Sequence, residues 1–176
     1  VAGNTIGIRV IIFALLPSFG ISNAAATLVG QNLGAGKPDR AEAAAWTVGL
    51  YNTIFLGGIG LIFLLFAPFI ISFFTKDPDV ARYGVSCLRI VSAGFLFYGY
   101  AMALIAGFNG AGDTRTPTLI ALACQWAFEI PLAWVLARPF GFGPTGVFIA
   151  VTVAFSLMSV VSAWRFARGT WKEKRV

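Results

Sequence analysis

The apolar residues of this chain fall in blocks of about twenty or more, long enough to cross a bilayer as helices. Prolines stand at the edges of these blocks. Pro38 follows Gly36-Lys37, Pro78 follows Lys76-Asp77, Pro117 follows Arg115-Thr116, and Pro144 follows Gly141-Phe142-Gly143. Proline suits the first helical position, where its missing N–H would have no partner anyway. Asp77 and Thr116 directly precede two of these prolines and are the expected N-caps. Asp39, Glu42 and Asp79 put negative charge into first turns, where the helix dipole favours it. The pattern predicts five spans: Thr5 to about Gly30, Pro38 to Phe74, Pro78 to about Asn109, Pro117 to Ala137, and Pro144 to about Arg168. A basic tail over 169–176 follows. Short links make neighbouring spans antiparallel. Helices satisfy their own backbone groups in lipid and open strands do not, so the expected fold class is an all-α polytopic membrane protein.

Composition agrees. The chain is 58% hydrophobic and 11% charged, against about 45–50% and about 25% in a soluble domain. That is too little charge to coat a water-soluble globule, and it excludes disorder, coiled coil and ordinary cytosolic enzyme folds. There are no histidines, so Ser-His-Asp triads, HExxH zinc sites and histidine proton relays are absent. No enzyme activity, metal site or cofactor is expected. Cys87 and Cys124 lie in apolar runs without a CxxC and read as packing residues.

The net charge of +6 points to membrane orientation rather than to nucleic acid. Lys37, Arg40, Arg115, Arg165, Arg168, Lys172, Lys174 and Arg175 fall on one side of the five spans. Lys76, Arg82 and Arg138 fall on the other, and Arg9 and Arg89 lie inside spans near that second side. The richer side is expected to be cytoplasmic, which puts the C-terminus inside a cell (inner) membrane and Val1 outside. Val1 is not a methionine and no signal peptide precedes the first span, so an internal start within a longer protein is expected.

The span surfaces carry two kinds of signal. Ala14, Ser18, Ser22, Ala26, Gly30 and Gly34 form a small-residue row on the first span, and Gly99, Ala103, Gly107 and Ala111 form one on the third. Such rows let helix backbones approach closely in lipid. Pro17, Pro68 and Pro131 lie inside spans, where each frees a carbonyl and bends a helix. Glu129 is the only acidic residue deep in a span. Placing its charge there costs about 2.5–3.5 kcal/mol. Gln125, one turn earlier, is a candidate hydrogen-bond partner. Two readings follow: a proton or cation site, or a structural Glu, either neutral and hydrogen-bonded to Gln125 or a neighbouring helix, or paired with Arg9 or Arg89. Both arginines are long enough to snorkel toward the outer interface.

Asn23, Asn52, Tyr51, Tyr98 and Tyr100 are ligands if they face a cavity and interhelical ties if they face the bundle core. Glu129, Gln125, Asn52 and Tyr98 are the candidate substrate- and ion-binding residues. Aromatic residues make up 15% of the chain, enough to line a cavity for apolar cations as well as to face lipid. Trp46, Trp164 and Trp171 fall where an inner interfacial belt is expected. Gly34-Ala35-Gly36-Lys37 and Gly110-Ala111-Gly112-Asp113 end spans in tight turns and are not phosphate loops.

At these loops a family resemblance emerges. Leu28-Val-Gly-Gln-Asn-Leu-Gly-Ala-Gly36 resembles the LVGQxLGAG signature of the multidrug and toxic compound extrusion (MATE) family. Gly110 to Pro117 resembles its GxGDTxxP loop, Ile130-Pro-Leu-Ala-Trp134 its IPLAY element, and Gly143-Pro-Thr-Gly-Val147 its GxxGV start of the last span. The resemblance covers essentially the whole chain. It implies the eighth to twelfth spans of a twelve-span protein, without its first lobe or seventh span. It also implies secondary active export of organic cations and amphipathic drugs, coupled to inward Na+ or H+, with two six-helix lobes rocking between states. The implied partners are these small molecules, membrane lipid and the N-terminal lobe of the same full-length protein, and no nucleic acid. Some members carry the coupling carboxylate in the first lobe, and others add acids in the seventh and tenth spans. The third span here would be the tenth. It has no carboxylate between Cys87 and Gly112, and Tyr98 falls near the expected place. A lipid-linked saccharide flippase of the same superfamily is the alternative, and it would need a strongly basic cavity.

Overall fold

In the computed structural model, residues 2–173 are described; Val1 and the tail residues Lys174, Arg175 and Val176 lie outside them. The described residues are helical from end to end with short links. Seven α-helices run in order: α1 (Ala2–Gly34), α2 (Pro38–Ser72), α3 (Pro78–Ala93), α4 (Phe95–Gly110), α5 (Arg115–Ala121), α6 (Ile130–Ala137) and α7 (Pro144–Ala167). A π-helical segment, Leu122–Glu129, joins α5 to α6, and a 3-10 turn, Thr170–Glu173, follows α7. Thr5–Gly34, Pro38–Ser72, Arg115–Ala137 and Pro144–Ala167 are each long and apolar enough to span a membrane. The α3–α4 pair passes the same test jointly, bent by 56° at Gly94. The fold is an all-α, multi-pass membrane architecture.

Local chemistry sets the ends. Asp77 caps α3, accepting from the backbone N–H of Asp79 (2.9 Å) and Val80 (3.3 Å) ahead of Pro78 at the first position. The expected Thr116 cap is corrected. Asp113, buried in the loop, accepts from the Thr116 N–H (3.2 Å) and hydroxyl (2.7 Å), so Thr116 and Pro117 already lie within the first turn of α5. The carboxylate does what the shorter hydroxyl was expected to do, because an Asp three residues earlier can reach both donors at once. The two Gly-Ala-Gly loops share one cap. Lys37 N–H bonds back to Asn32 C=O and Asp113 N–H to Phe108 C=O, around Gly36 (φ 68°) and Gly112 (φ 75°). This is the Schellman arrangement, which needs a left-handed residue and so favours glycine.

Helices α1, α2 and α4 pack on one another, α7 packs on the α3–α4 span, and the span α5–α6 leans on α7. The small rows are where backbones meet. A side chain on Gly110 would collide with the Ala26 carbonyl of α1, one on Gly30 would meet the Gly110 carbonyl (3.1 Å), and one on Gly99 would meet Thr53 Cα of α2 (2.7 Å).

The sharp break falls at Gly94, not at a proline. Pro17 and Pro68 lie inside unbroken helices, and Pro131 is the second residue of α6, just after the π-helical segment. Pro68 offers no N–H to the Leu64 carbonyl one turn earlier. Arg89 of α3 supplies the missing donor, its Nε lying 3.2 Å from Leu64 O. Arg89 therefore commits its Nε to a backbone group freed by proline.

At the end that carries most of the basic residues, Trp171 is fully buried, not interfacial. Its ring stacks on Phe166 (4.5 Å) and its Nε1 donates to Phe166 O (2.9 Å). Lys172 beside it reaches Glu42 (2.6 Å) and Asp39 (3.2 Å) near the start of α2. Hydrogen bonds to Glu42 and then Asp39 hold the Lys172 ammonium above its ordinary pKa. The pairing is thus present below the ordinary lysine range and is lost only as pH climbs through the raised value.

Arg89→Met should destabilise the protein in nanodiscs by about 1–3 kcal/mol, the cost of a carbonyl left without a donor in an apolar span. Adding Pro68→Ala, which returns an N–H to Leu64 O, should recover most of that loss. Thermal unfolding of both variants checks this; a double variant no better than the single one would contradict it.

A neutral cleft between the first and last helices

Helices α1 and α7 both pack on the α3–α4 span and leave a furrow between them. Its outer part is an apolar concavity of about 360 Å³, lined by Ile8, Ile11 and Leu15 of α1, by Gly94 and Phe95 at the break, and by Val147 and Phe148 of α7, among others. Its inner part, about 310 Å³, is lined by Ser22 and Asn23 of α1, Tyr98, Met102 and Asn109 of α4, Gln125 of the π-helical segment, and Phe155 and Met158 of α7. Tyr98 and Phe155 line both parts, with their rings edge-to-face at 4.5 Å.

Two of the four candidate residues, Tyr98 and Gln125, therefore meet in one cavity. Asn52 does not join them. It is fully buried; its amide donates to Ser22 Oγ (3.0 Å) and Gly99 O (3.0 Å), and its carbonyl oxygen accepts from Ser18 Oγ (2.7 Å). Ser18 Oγ also lies 3.4 Å from Met102 Sδ. Asn52 thus ties α1, α2 and α4 together, the second of its two sequence readings.

Glu129 ends the π-helical segment, half-buried and outside the lining of the cleft. No hydrogen bond links it to Gln125, and no ion pair links it to Arg9 or Arg89 among the described residues. The wide π turn changes the face that successive residues present.

The cleft residues without a strong sequence signal are Ser22, Met102, Asn109, Phe155 and Met158. The chain has two methionines and both line this cavity. Unbranched, polarizable thioethers adapt to ligands of varied shape. Every lining residue is uncharged. Aromatic faces, thioethers and amides can hold an amphipathic molecule of variable outline, and aromatic faces also attract cations.

Residues 1–135 match the MatE family. The chain belongs to that family. This MatE chain is 27% identical over 175 residues to a probable multidrug resistance protein NorM of Thermotoga maritima, a match covering 99% of this chain and 38% of the relative. A probable NorM of Pseudomonas aeruginosa is 31% identical over 176 residues, covering 95% of this chain and 36% of the relative. The chain thus spans under two fifths of these relatives' length. Its fold superposes with a TM-score of 0.90 on the MATE transporter ClbM solved in complex with Rb+, at 22% identity and covering 99% of this chain and 42% of that one. A Pyrococcus furiosus transporter of the MOP superfamily gives 0.90 at 19% identity, with coverage of 99% and 40%.

The ties and the cleft should separate experimentally. Asn52→Leu should cost about 1–3 kcal/mol of stability, because Ser18, Ser22 and the Gly99 carbonyl lose partners. Gln125→Leu, at the cleft wall, should leave the unfolding midpoint within the scatter of wild type. Thermal unfolding in detergent checks both, and the reverse order would contradict the assignment.

Proposed function

We propose that this chain is the second-lobe part of a secondary active multidrug efflux antiporter. It takes organic cations and amphipathic drugs into the cleft between α1 and α7 and releases them in exchange for Na+ or H+. The observation that carries this reading is the cleft itself: an apolar outer half, the Tyr98–Phe155 pair, both methionines, and an amide at Gln125, with no charge on the wall. Such a wall holds many apolar shapes by contact and few by hydrogen-bond readout, as broad substrate range requires. The names of the NorM relatives support it.

The coupling carboxylate belongs, on this reading, to the N-terminal lobe, since the cleft wall here has none. On this reading Glu129, which does not line the cleft, takes no part in coupling. The flippase alternative calls for basic residues around a phosphorylated substrate. The lining has none, and Arg89 is committed to Leu64. The reading is of a transporter part and not an enzyme, set in the inner membrane. The end bearing Lys37, Arg40, Arg115, Arg165, Arg168 and Lys172 faces the cytoplasm by the positive-inside rule.

The test is transport by the full-length protein in sealed vesicles, with Na+ and proton gradients imposed one at a time and a fluorescent organic cation as cargo. One gradient should drive dye movement. Tyr98→Ala should raise KM by roughly five- to thirty-fold, as loss of an aromatic contact of about 1–2 kcal/mol implies. Dye movement under neither gradient, or a KM indifferent to Tyr98, would sink the proposal.

A further inference from the structure

The break in the third span exchanges a backbone hydrogen bond for one from a side chain of α7. At Gly94 the backbone N–H donates to Val91 O (3.0 Å), so Ile90 O loses the amide that an unbroken helix would give it. Thr152 of α7 fills the gap, with its hydroxyl 3.0 Å from Ile90 O. The same hydroxyl lies 3.0 Å from Phe148 O in its own helix. Each partner therefore has a fallback. If α3 and α4 straighten, Gly94 N–H can return to Ile90 O while the Thr152 hydroxyl stays on Phe148 O. In either arrangement Ile90 O keeps a donor, which matters in hydrocarbon, where an orphaned carbonyl is expensive. Packing marks the same point of contact. A side chain on Gly94 would meet Thr152 Cγ2 at 2.9 Å, so glycine here lets α7 close on the bend. Gly94, Phe95, Tyr98 and Thr152 all line the outer part of the cleft.

We propose that Thr152 is a positioning residue that holds the third span bent at Gly94 and thereby sets the spacing of α1 and α7 around Tyr98. The bend stands on geometry alone; its bearing on export rests on the efflux reading above. Thr152 acts through the Ile90 carbonyl and need not touch cargo.

The experiment uses the full-length protein in nanodiscs with Cys87 and Cys124 replaced by Ala. Spin labels are placed at Tyr83→Cys on α3 and Val160→Cys on α7, both solvent- or lipid-exposed positions, and the distance distribution is read by pulsed electron paramagnetic resonance. Thr152→Val keeps the branched shape and removes the donor. It should shift the ratio of bent to straight populations by about five-fold, the size of one net hydrogen bond. Thr152→Ser keeps the hydroxyl and should overlay on wild type. In vesicles, Thr152→Val should raise KM for the organic cation by a similar factor with little change in kcat, and serine should rescue it. Coincident distributions for wild type and Thr152→Val overturn the proposal, and so does a serine variant that behaves like valine. If Thr152→Val does not fold, Thr152→Ala removes the same donor with less crowding and carries the same expectations. A distance shift without any dye transport would keep the hinge and remove the efflux reading, so the two failures are distinguishable.

Discussion

In hydrocarbon no bulk water is at hand to take a freed backbone carbonyl, so an interrupted helix needs another donor for the group it frees. This constraint organises the fold. Pro68 frees Leu64 O, and Arg89 takes it across the α2–α3 interface. The break at Gly94 frees Ile90 O, and Thr152 takes it from α7. Around that break, Asn52 donates to Gly99 O and Thr53 to Leu96 O, both from α2. The bent span is thus gripped from two sides by donors aimed at its carbonyls, and its bend is a product of its neighbours as much as of its own sequence.

Close approach makes these long-range bonds reachable. Where Gly99 lies against Thr53, and Gly30 against Gly110, backbone meets backbone with no side chain between. Association in lipid depends on such packing rather than on water exclusion. At the basic end, Phe166 and Trp171 stack beside Phe108, and Lys172 bridges to the start of α2. The chain's last described turn therefore closes the bundle at one end, while the other end opens into the apolar part of the cleft.

Much of this was legible in sequence, for local reasons. Apolar blocks and the prolines at 38, 78 and 144 mark span starts because the first turn alone tolerates a missing N–H. The Gly-Ala-Gly loops read as turns because only a left-handed residue permits their cap. Tyr98 and Gln125 stood out as polar groups in apolar spans, and they do face the cleft. What the sequence does not display is non-local. Gly94 resembles the packing glycines at 99 and 107, and its role depends on Thr152, far along the chain. Asn52 and Gln125 look alike in sequence, yet one is enclosed by three helices and the other lies against a void. Trp171 sits among basic residues and reads as interfacial, whereas the 3-10 turn carries it inward onto Phe166. Glu129 falls off the cleft because the π-helical segment shifts the face, which α-helical spacing cannot show.

The polar side chains of the spans thus divide into sealed ties and groups on the cleft wall, and the transport reading depends on that division. Thiol labelling of the intact protein in nanodiscs with a water-soluble maleimide measures it most directly, using single cysteines at Ser18→Cys and Gln125→Cys in a background lacking Cys87 and Cys124. The cysteine at 125 should react readily and be protected by a saturating organic cation, while the one at 18 stays unreacted. Fast labelling at 18, or none at 125, would contradict the account.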